Sequence, residues 1–320
     1  MGPRRAPGLL KISDLDRAAL RARLRGAGLR LDLHPFSACV RSELPALADA
    51  VALLYADFPL AAEDGFADFH LEIRAEPRWL PFGRWRARFL YDGLPAFVSL
   101  PRRQAPTMLE WGLNWCVASH AHQFLVCHAA VLERDGRALV LPAPPGSGKS
   151  TLTAVLAHRG WRLLSDELAL LDPATGLVHG MARAVNLKNA SIDLVTGFVP
   201  EAVMSPPVPD TLKGTVALMR PPAEAVRRRA EPARPAWVVL PRWQAGARAG
   251  FERLDRAQAA LLLAEQSFNY HVLGRRGFDT LTTLVGAVDC LSFRYGTLDE
   301  LEPAFEALAA GRPPGDAHGA

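Results

Sequence analysis

The chain has 320 residues, enough for two domains, and its 49% apolar residues can supply a sizeable core. No apolar run approaches the roughly 18 to 20 residues of a membrane helix, and residues 1–11 lack the apolar stretch of a signal peptide. We therefore expect a cytoplasmic protein with no membrane segment. The net charge of +4 comes from scattered arginines without interleaved aromatic residues, which argues against a nucleic-acid partner.

Lysine is rare in this chain. Of 37 basic residues only four are lysines, at Lys11, Lys149, Lys188 and Lys213. Nearly all basic residues of this chain are arginines. A lysine therefore indicates a position where a compact positive charge on a flexible side chain is needed. Lys149, Lys188 and Lys213 are therefore candidate functional residues, with chance as the alternative.

The four cysteines carry no metal-binding or disulfide pattern. They lie at Cys39, Cys116, Cys127 and Cys290. Because no CxxC or paired Cys/His spacing occurs, neither a zinc site nor a disulfide framework is predicted. We interpret all four as plain thiols.

The first hundred residues alternate between short elements, as in a small α+β domain. A basic amphipathic periodicity predicts a helix over residues 15–29. Alternating apolar runs predict strands at residues 68–74, 86–91 and 96–100. Turn residues separate them, at Pro77, Pro81, Gly83 and Asp92-Gly93. Residues 101–106 are interpreted as a linker, so we expect the first domain over residues 1–106.

A longer helix opens the second part of the chain. Residues 108–122 have the length and periodicity of a helix. Two β-rich runs follow, over residues 123–132 and 137–141, and Arg134-Asp135-Gly136 joins them as a hairpin signal. The second run leads into a glycine-containing loop, and residues 151–159 continue as a helix that Gly160 closes.

The remaining elements alternate between strands and helices. Residues 161–164 predict a strand, residues 168–178 a hairpin and residues 186–195 the start of a helix. Residues 206–231 are punctuated by prolines and are expected to form loops. Further elements are a strand at 236–241, a helix at 257–268, a strand at 291–295 and a helix at 298–310. We expect a second domain over residues 107–311 and a frayed tail over 312–320.

The order strand, glycine-containing loop, Lys-Ser and helix is that of a phosphate-binding loop. Pro144 and Pro145 lack an N–H, and six consecutive donors follow them, at Gly146, Ser147, Gly148, Lys149, Ser150 and Thr151. Such donors at a helix N-terminus wrap a β-phosphate, while the lysine reaches the β/γ oxygens and the hydroxyl ligates Mg²⁺. We therefore predict an ATP site with magnesium, in which Ser150 is a metal ligand.

The acidic pair Asp166-Glu167 follows directly after the loop's helix and one strand. In most P-loop NTPases the corresponding acidic residue comes several βα units later. The early placement resembles HPr kinase/phosphorylase and, more distantly, phosphoenolpyruvate carboxykinase. The resemblance implies an α/β fold in which a P-loop kinase domain of that type follows the small α+β domain. The alternative is that both acidic residues are ordinary turn residues of a hairpin.

The resemblance can be followed residue by residue. The run from His128 to Leu132 resembles the strand that precedes the loop in this family, with alanine in place of glycine after the histidine. The family's loop and acidic strand are matched by Gly146 to Ser150 and by Arg162 to Glu167. Carried over, Asp166 is the base that takes the acceptor's proton, and Glu167 lies on the metal side. His128 is expected to hold or tune Asp166, or else to be a satisfied histidine at a strand start.

Four further segments together resemble the subgroup called HPr kinase-related kinase A. They are Glu110-Trp111-Gly112-Leu113-Asn114-Trp115, Ser165-Asp166-Glu167-Leu168, Asn186-Leu187-Lys188-Asn189 and Phe268-Asn269-Tyr270. HPr kinases carry Glu-Ile-Arg-Gly where this chain has the third segment, so neither a second metal ligand nor phosphorylase activity is implied. Lys188 becomes a candidate second cation on the transferring phosphoryl group, or else a surface residue. The subgroup implies a setting beside PqqD-like peptide chaperones.

Three classes of function fit these residues. The leading one is a kinase that uses ATP and magnesium to phosphorylate a Ser/Thr hydroxyl of a protein or peptide. The second is an NTP-dependent switch or assembly factor that transfers phosphate only to water. The third is a small-molecule kinase, for example one that acts on free serine. The sequence does not separate these acceptors, and it leaves the oligomeric state open.

Overall fold

The structure, a computed structural model, describes residues 10–62, 65–76, 85–144 and 146–311. Within these ranges the chain is mixed α/β, as the sequence predicts. The expected turn residues Pro77, Pro81 and Gly83, the loop residue Pro145 and the tail 312–320 lie outside the described residues. No helix in the described ranges has the length and apolar character needed to cross a membrane.

The first part of the chain forms a sheet covered by helices. Its elements are α1 (Arg17–Arg25), β1 (Leu29–Asp32), β2 (Ser37–Arg41), α2 (Pro45–Leu54), β3 (Phe69–Ala75), β4 (Arg86–Tyr91), β5 (Leu94–Pro95), β6 (Leu100–Pro101) and α3 (Ala105–His120). The sheet order is β1-β2-β3-β4-β5, with β6 also on β4, and β2 and β3 are its parallel pair. The predicted strands 68–74 and 86–91 are confirmed as β3 and β4.

Two predictions in this part are wrong, and a third is confirmed with narrower bounds. The helix expected over residues 15–29 is α1, which ends at Arg25, because Gly26 and Gly28 turn the backbone and Leu29 already begins β1. Of the strand expected at 96–100, only Leu100 is in a strand, β6. The expected linker 101–106 instead holds the end of β6, a 3₁₀ turn and the start of α3.

Helix α3 packs against the first sheet. Met108, Leu113 and Val117 belong to the core that this sheet shares with α1 and α2. Gly112 permits the close approach, since a Cβ there would lie 2.1 Å from Cε2 of Phe89. The predicted domain boundary after residue 106 falls in the first turn of α3, and the division into two domains stays a prediction.

The second part of the chain is built around a mixed sheet. Its elements are β7 (Leu125–Cys127), β8 (Ala129–Arg134), β9 (Arg137–Pro142), α4 (Lys149–Ala157), β10 (Arg162–Ser165), β11 (Ala169–Leu171), β12 (Val178–His179), β13 (Val185–Lys188), α5 (Ala190–Phe198), β14 (Val208–Thr211), β15 (Gly214–Met219), α6 (Ala223–Arg227), β16 (Arg234–Trp243), β17 (Gly250–Arg253), α7 (Arg256–Glu265), α8 (Tyr270–Leu273), α9 (Arg275–Ala287), β18 (Asp289–Tyr295) and α10 (Leu301–Ala309). The main sheet has the order β10-β8-β9-β16-β18-β17.

The main sheet is buried on both faces. Along β9, Leu139 and Leu141 pack on the side of α4 and α10, whereas Ala138 and Val140 pack on the side of α7 and α9. Strands β9, β16 and β18 run parallel to one another, so their carboxyl ends meet at one edge. In open α/β sheets this edge is where ligands bind. The loop after β9 lies there.

One prediction in this part is wrong, and another is confirmed only in part. The helix expected to start at residue 186 starts at Ala190 as α5, because residues 185–188 form β13 and pair antiparallel with β15. The expected loops over 206–231 contain β14, β15 and α6. Prolines are compatible with strand β14 because it is paired with β15 alone among the described strands, which leaves its other edge without a ladder.

Candidate functional site

The loop between β9 and α4 contains two glycines in left-handed backbone conformation. Gly146 and Gly148 have φ of 89° and 87°, and α4 begins directly afterwards at Lys149. Left-handed backbone of this kind favours glycine, because a Cβ clashes with the following carbonyl oxygen. The predicted loop residues Gly146 to Thr151 therefore lie together at the N-terminus of a helix, where backbone N–H groups attract anions.

The neighbouring parallel strands hold the loop. At the end of β16, the backbone N–H of Trp243 donates to the carbonyl oxygen of Ser147 over 3.2 Å. At the end of β18, the hydroxyl of Tyr295 donates to the carbonyl oxygen of Gly148 over 3.1 Å. Burial raises the pKa of Tyr295, so this hydroxyl keeps its proton. The loop is thus anchored on the edge where the three strands end.

Lys149 is a buried cation without a partner. Its side chain is 8% exposed, and its Nζ has no hydrogen-bond partner. Burial lowers its pKa, although the charges of Glu167 and Asp166 oppose this shift. Among the other buried polar atoms without a hydrogen-bond partner, Oγ of Ser147, Oδ1 of Asp166 and Oδ1 of Asn186 belong to this loop and to the residues opposite it. Such groups are costly unless something satisfies them, which makes this region a candidate binding site.

The acidic pair lies directly after β10, opposite the loop. Asp166 is buried, and its Oδ2 accepts hydrogen bonds from the backbone N–H of Asn186 at 3.0 Å and from Oγ of Ser150 at 3.4 Å. Burial and the charge of Glu167 raise the pKa of Asp166. Asp166 is therefore in contact with the loop residue predicted to bind magnesium.

His128 contacts Glu167, whereas the sequence led us to expect a contact with Asp166. Its Nε2 lies 3.2 Å from Oε2 of Glu167, and the ring centroid lies 6.1 Å from that of Phe268. Burial raises the pKa of Glu167, but the hydrogen bond from His128 and the nearby lysine charges outweigh burial and hold this pKa below its usual range. Glu167 therefore stays ionised.

Three of the four lysines surround the acidic pair. The charges of Lys149, Lys188 and Lys213 all act on Glu167. Within the part of the chain that the structure describes, none of these three ammonium groups has a carboxylate oxygen within 4.0 Å. Lys11, by contrast, lies 3.5 Å from Asp57. The three lysines proposed as candidate functional residues thus have no carboxylate partner among the described residues, and all three lie near enough to Glu167 for their charges to act on it.

A buried ion pair lies beside the acidic pair. Arg183 donates to Glu110 on α3 over 2.7 Å and also to Asn114, while the hydroxyl of Tyr55 donates to Glu110 over 2.5 Å. A small cavity in this region is lined by Glu110, Asn114, Ser165, Asp166, Glu167, Met181, Arg183, Ala184 and Asn186.

The sequence analysis did not predict Arg183 as a residue of this region. It is a single charge in the otherwise apolar run 180–185, which is a signal that was available.

The segment Phe268-Asn269-Tyr270 holds the strand that leads to His128. The side chain of Asn269 is buried, and it accepts from the N–H of Val126 at 3.0 Å and donates to the carbonyl oxygen of Phe124 at 2.9 Å. Asn269 therefore supports the site through β7. An open groove of about 570 Å³ adjoins this region, lined by Asn114, Trp115, Ala118, Ser119, His122, Phe268 and Val272.

The oxygen donors at this site fit magnesium better than a transition metal. The hydroxyl of Ser150 and the carboxylates of Asp166 and Glu167 are hard ligands, and Mg²⁺ is usually bound by one or two carboxylates together with substrate phosphates. In the described ranges, no group of three or more His, Cys, Asp or Glu side chains is arranged to hold a metal ion. A metal at this site would therefore need ligands from its substrate.

Comparison with known proteins does not assign the chain to a family. No protein-family model matches the chain, and neither does any curated protein. The likeness to HPr kinases thus stays a prediction carried by the motifs.

Proposed function

We propose that this chain is a kinase that binds Mg·ATP at the loop Gly146 to Thr151 and transfers the γ-phosphoryl group to a Ser/Thr hydroxyl of a protein or peptide. One observation carries the proposal. The ammonium of Lys149 is buried without a partner at a helix N-terminus, opposite the buried carboxylate of Asp166 and the partly buried carboxylate of Glu167. A nucleoside triphosphate supplies the anion that Lys149 lacks, and its magnesium supplies the cation for the carboxylates.

The charges of the site support a ligand that carries both signs. Asp166 and Glu167 would repel a bare triphosphate, while three unpaired lysines would repel a bare cation. A metal–triphosphate complex meets both sets of charges at once. Bound magnesium neutralises charge on the β- and γ-phosphates, and phosphoryl transfer depends mainly on such neutralisation and on positioning.

Each residue of the candidate site has a role in the proposed kinase reaction. Lys149 and Lys188 bind phosphate oxygens, and Ser150 and Glu167 hold the metal, with His128 orienting Glu167. Asp166 takes the proton of the acceptor hydroxyl through its free Oδ1. The contact between Ser150 and Asp166 at 3.4 Å favours a second allocation, in which Asp166 is the metal ligand and Glu167, held by His128, is the base.

Nucleotide binding can be tested by thermal denaturation with Mg·ATP. At one hundred times Kd, a ligand that binds only the native state adds about 2.7 kcal/mol to the free energy of unfolding. We therefore expect the midpoint temperature to rise in millimolar Mg·ATP. An unchanged midpoint in a folded sample would reject the proposed function.

Two substitutions distinguish the roles of the carboxylates. Asp166→Asn should retain Mg·ATP binding and lose phosphotransfer by about 10²- to 10⁴-fold if Asp166 is the base. Glu167→Gln should raise the magnesium concentration needed for binding. The opposite pattern would establish the second allocation. Unaltered transfer to the acceptor in both variants would show that neither carboxylate is the base, and hydrolysis without transfer to any acceptor in the parent would favour the NTP-dependent switch.

The acceptor can be sought with γ-labelled ATP and mass spectrometry. The groove beside Asn114 has a volume in the range of about 300 to 1,000 Å³ that is typical of ligand pockets, which supports an acceptor larger than free serine. We expect label on a serine or threonine of a peptide, tested with and without a PqqD-like chaperone. Label on free serine instead would identify a small-molecule kinase.

A further inference from the structure

We propose that Lys213 binds the terminal phosphoryl group of the nucleotide, as a third lysine of the site that is delivered by the hairpin between β14 and β15. This inference rests on the proposed function, and it concerns which part of the nucleotide Lys213 contacts. Lys213 has no place in the roles given above. It lies outside the phosphate-binding loop, on an element that the sequence led us to expect as a loop.

The hairpin holds the backbone of Lys213 in a defined position. Asp210 and Gly214 have φ of 57° and 83°, and the N–H of Lys213 donates to Oγ1 of Thr211 over 3.0 Å. The turn is also attached to the residues before α3, because the side-chain amide of Gln104 donates to the carbonyl oxygen of Asp210 over 2.9 Å. Arg103 pairs with the carboxylate of Asp210 at 2.7 Å.

The two residues at the tip of this hairpin point in unusual directions. Leu212 is 90% exposed, whereas the side chain of Lys213 turns back onto α3 and places its Nζ 5.4 Å from the ring centroid of Trp111. The attraction between a cation and an indole ring is favourable but modest at such an exposed position. Both residues are exposed, and the ammonium of Lys213 is the part of the hairpin tip that is held against α3.

The hairpin that carries Lys213 is joined to the acidic pair through β13. The N–H of Thr215 donates to Oδ1 of Asn189, directly after β13, over 3.0 Å, and within β13 the N–H of Asn186 donates to Oδ2 of Asp166 over 3.0 Å. The charges of Glu167, Lys188 and Asp166 all act on Lys213, yet no carboxylate oxygen of a described residue lies within 4.0 Å of its Nζ. Lys213 is thus close to the carboxylates without being neutralised by one of them.

The position of Lys213 favours the terminal phosphoryl group over the inner phosphates. Lys149 approaches the acidic pair from the helix that follows the phosphate-binding loop, which is the side of the β-phosphate. Lys188 and Lys213 approach from the sheet of β13, β14 and β15, where Lys188 is paired with Val216. A triphosphate bound along the loop would present its end to this sheet.

Binding of Mg·ATP and Mg·ADP to Lys213→Ala tests the inference by titration calorimetry. We expect the variant to bind Mg·ATP at least tenfold more weakly than the parent, with affinity for Mg·ADP changed by less than about twofold, because ADP lacks the group that Lys213 contacts. Lys11→Ala is the matched control, since Lys11 is paired with Asp57, and it should change neither affinity.

Other outcomes are equally informative. Equal weakening of both nucleotides, or no weakening of either, would overturn the role of Lys213. If the alanine variant is poorly folded, Lys213→Gln provides the same comparison with a side chain that still covers Trp111. If the parent binds neither nucleotide, the proposed function itself is wrong. If the parent binds both nucleotides and the variant does not distinguish them, only the role of Lys213 is wrong.

Discussion

At the scale of single residues, the buried ammonium of Lys149 should cost stability when no ligand is present. Burial lowers its pKa, which shows that its surroundings disfavour the charge. Lys149→Met keeps the length of the side chain and removes the charge. We expect this variant to denature at an equal or higher temperature than the parent without nucleotide, and to lose the stabilisation by Mg·ATP.

Lys11→Met provides the control for this prediction. Lys11 is 42% exposed in its side chain and forms a surface pair with Asp57, so its loss should change stability by less than about 1 kcal/mol. It should leave the response to Mg·ATP intact. A marked loss of stability in Lys149→Met without nucleotide would mean that the ammonium of Lys149 makes a stabilising contact in the free protein. This outcome would contradict the prediction that Lys149 is an unpaired charge that binds a ligand.

The sequence selected candidate residues that the structure brings together, but it did not predict their contacts. Lys149, Asp166 and Glu167 were predicted from motif order, and Lys188 and Lys213 from the rarity of lysine. The partner of His128 was wrong, because adjacent carboxylates after a strand point in different directions and the sequence carries no side-chain geometry. Arg183 was missed because its partner Glu110 is 73 positions away.

At the scale of elements, the turn into α4 depends on Gly148. Its φ is 87°, and a Cβ there would lie 2.1 Å from Oη of Tyr295. We expect Gly148→Ala to destabilise the fold by about 2 to 4 kcal/mol, since left-handed backbone and overpacking each cost about 1 to 3 kcal/mol. Gly146→Ala, where nothing lies within 4 Å, should incur only the backbone cost. Urea unfolding measures both.

A double-mutant cycle isolates the clash. Tyr295→Phe removes Oη and, with it, one hydrogen bond to Gly148, worth about 1 kcal/mol. Combined with Gly148→Ala, it should destabilise by less than the sum of the two single changes. Strict additivity would show that the loop shifts to avoid Tyr295, and that the tyrosine does not fix the turn.

Elements with local signals were predicted well, and those made by distant pairing were not. The hairpin of β8 and β9 follows from Asp135-Gly136, and α4 from the loop that precedes it. Strand β13 was included in a helix because the alternating run Val-Asn-Leu-Lys is only four residues long and a helix follows it. Its pairing with β15, about 30 residues later, makes it a strand. Helices α2 and α9 were not predicted at all.

At the scale of the whole molecule, the pair of Glu110 and Arg183 joins the two parts of the chain. Glu110 lies on α3 of the first core and accepts from Tyr55, while Arg183 precedes β13. Removing one partner of a buried ion pair costs about 3 to 5 kcal/mol, because the other charge is left unpaired. We expect this cost for Arg183→Met, measured by urea unfolding at pH 8.

The cost should fall in acid. Burial raises the pKa of Glu110 even with Arg183 present, and removing the arginine should raise this pKa further. A carboxyl whose pKa is raised by folding binds its proton more readily in the native state, so stability increases as pH falls from the folded pKa towards the unfolded value. Relative to the parent, Arg183→Met should therefore be less destabilised at pH 5 than at pH 8.

An exposed pair provides the comparison. Arg275 and Asp279 are paired on α9 at 3.5 Å, with side chains 93% and 59% exposed. Arg275→Met should change the free energy of unfolding by less than about 0.5 kcal/mol at either pH. If Arg183→Met showed an equally small effect, or no dependence on pH, Glu110 would not be charged in the folded protein.

The arrangement of the lysines also allows occupancy of the site to be measured by chemical modification of lysine amines. Acylating reagents attack unprotonated amines, and burial lowers the pKa of Lys149 and of Lys213. Of the chain's four lysines, only Lys11 lies away from the acidic pair, so it serves as an internal reference on the same molecule. Protection of the other three from acylation, read by peptide mass mapping, would therefore report occupancy of the site even in a crude extract and without a known acceptor.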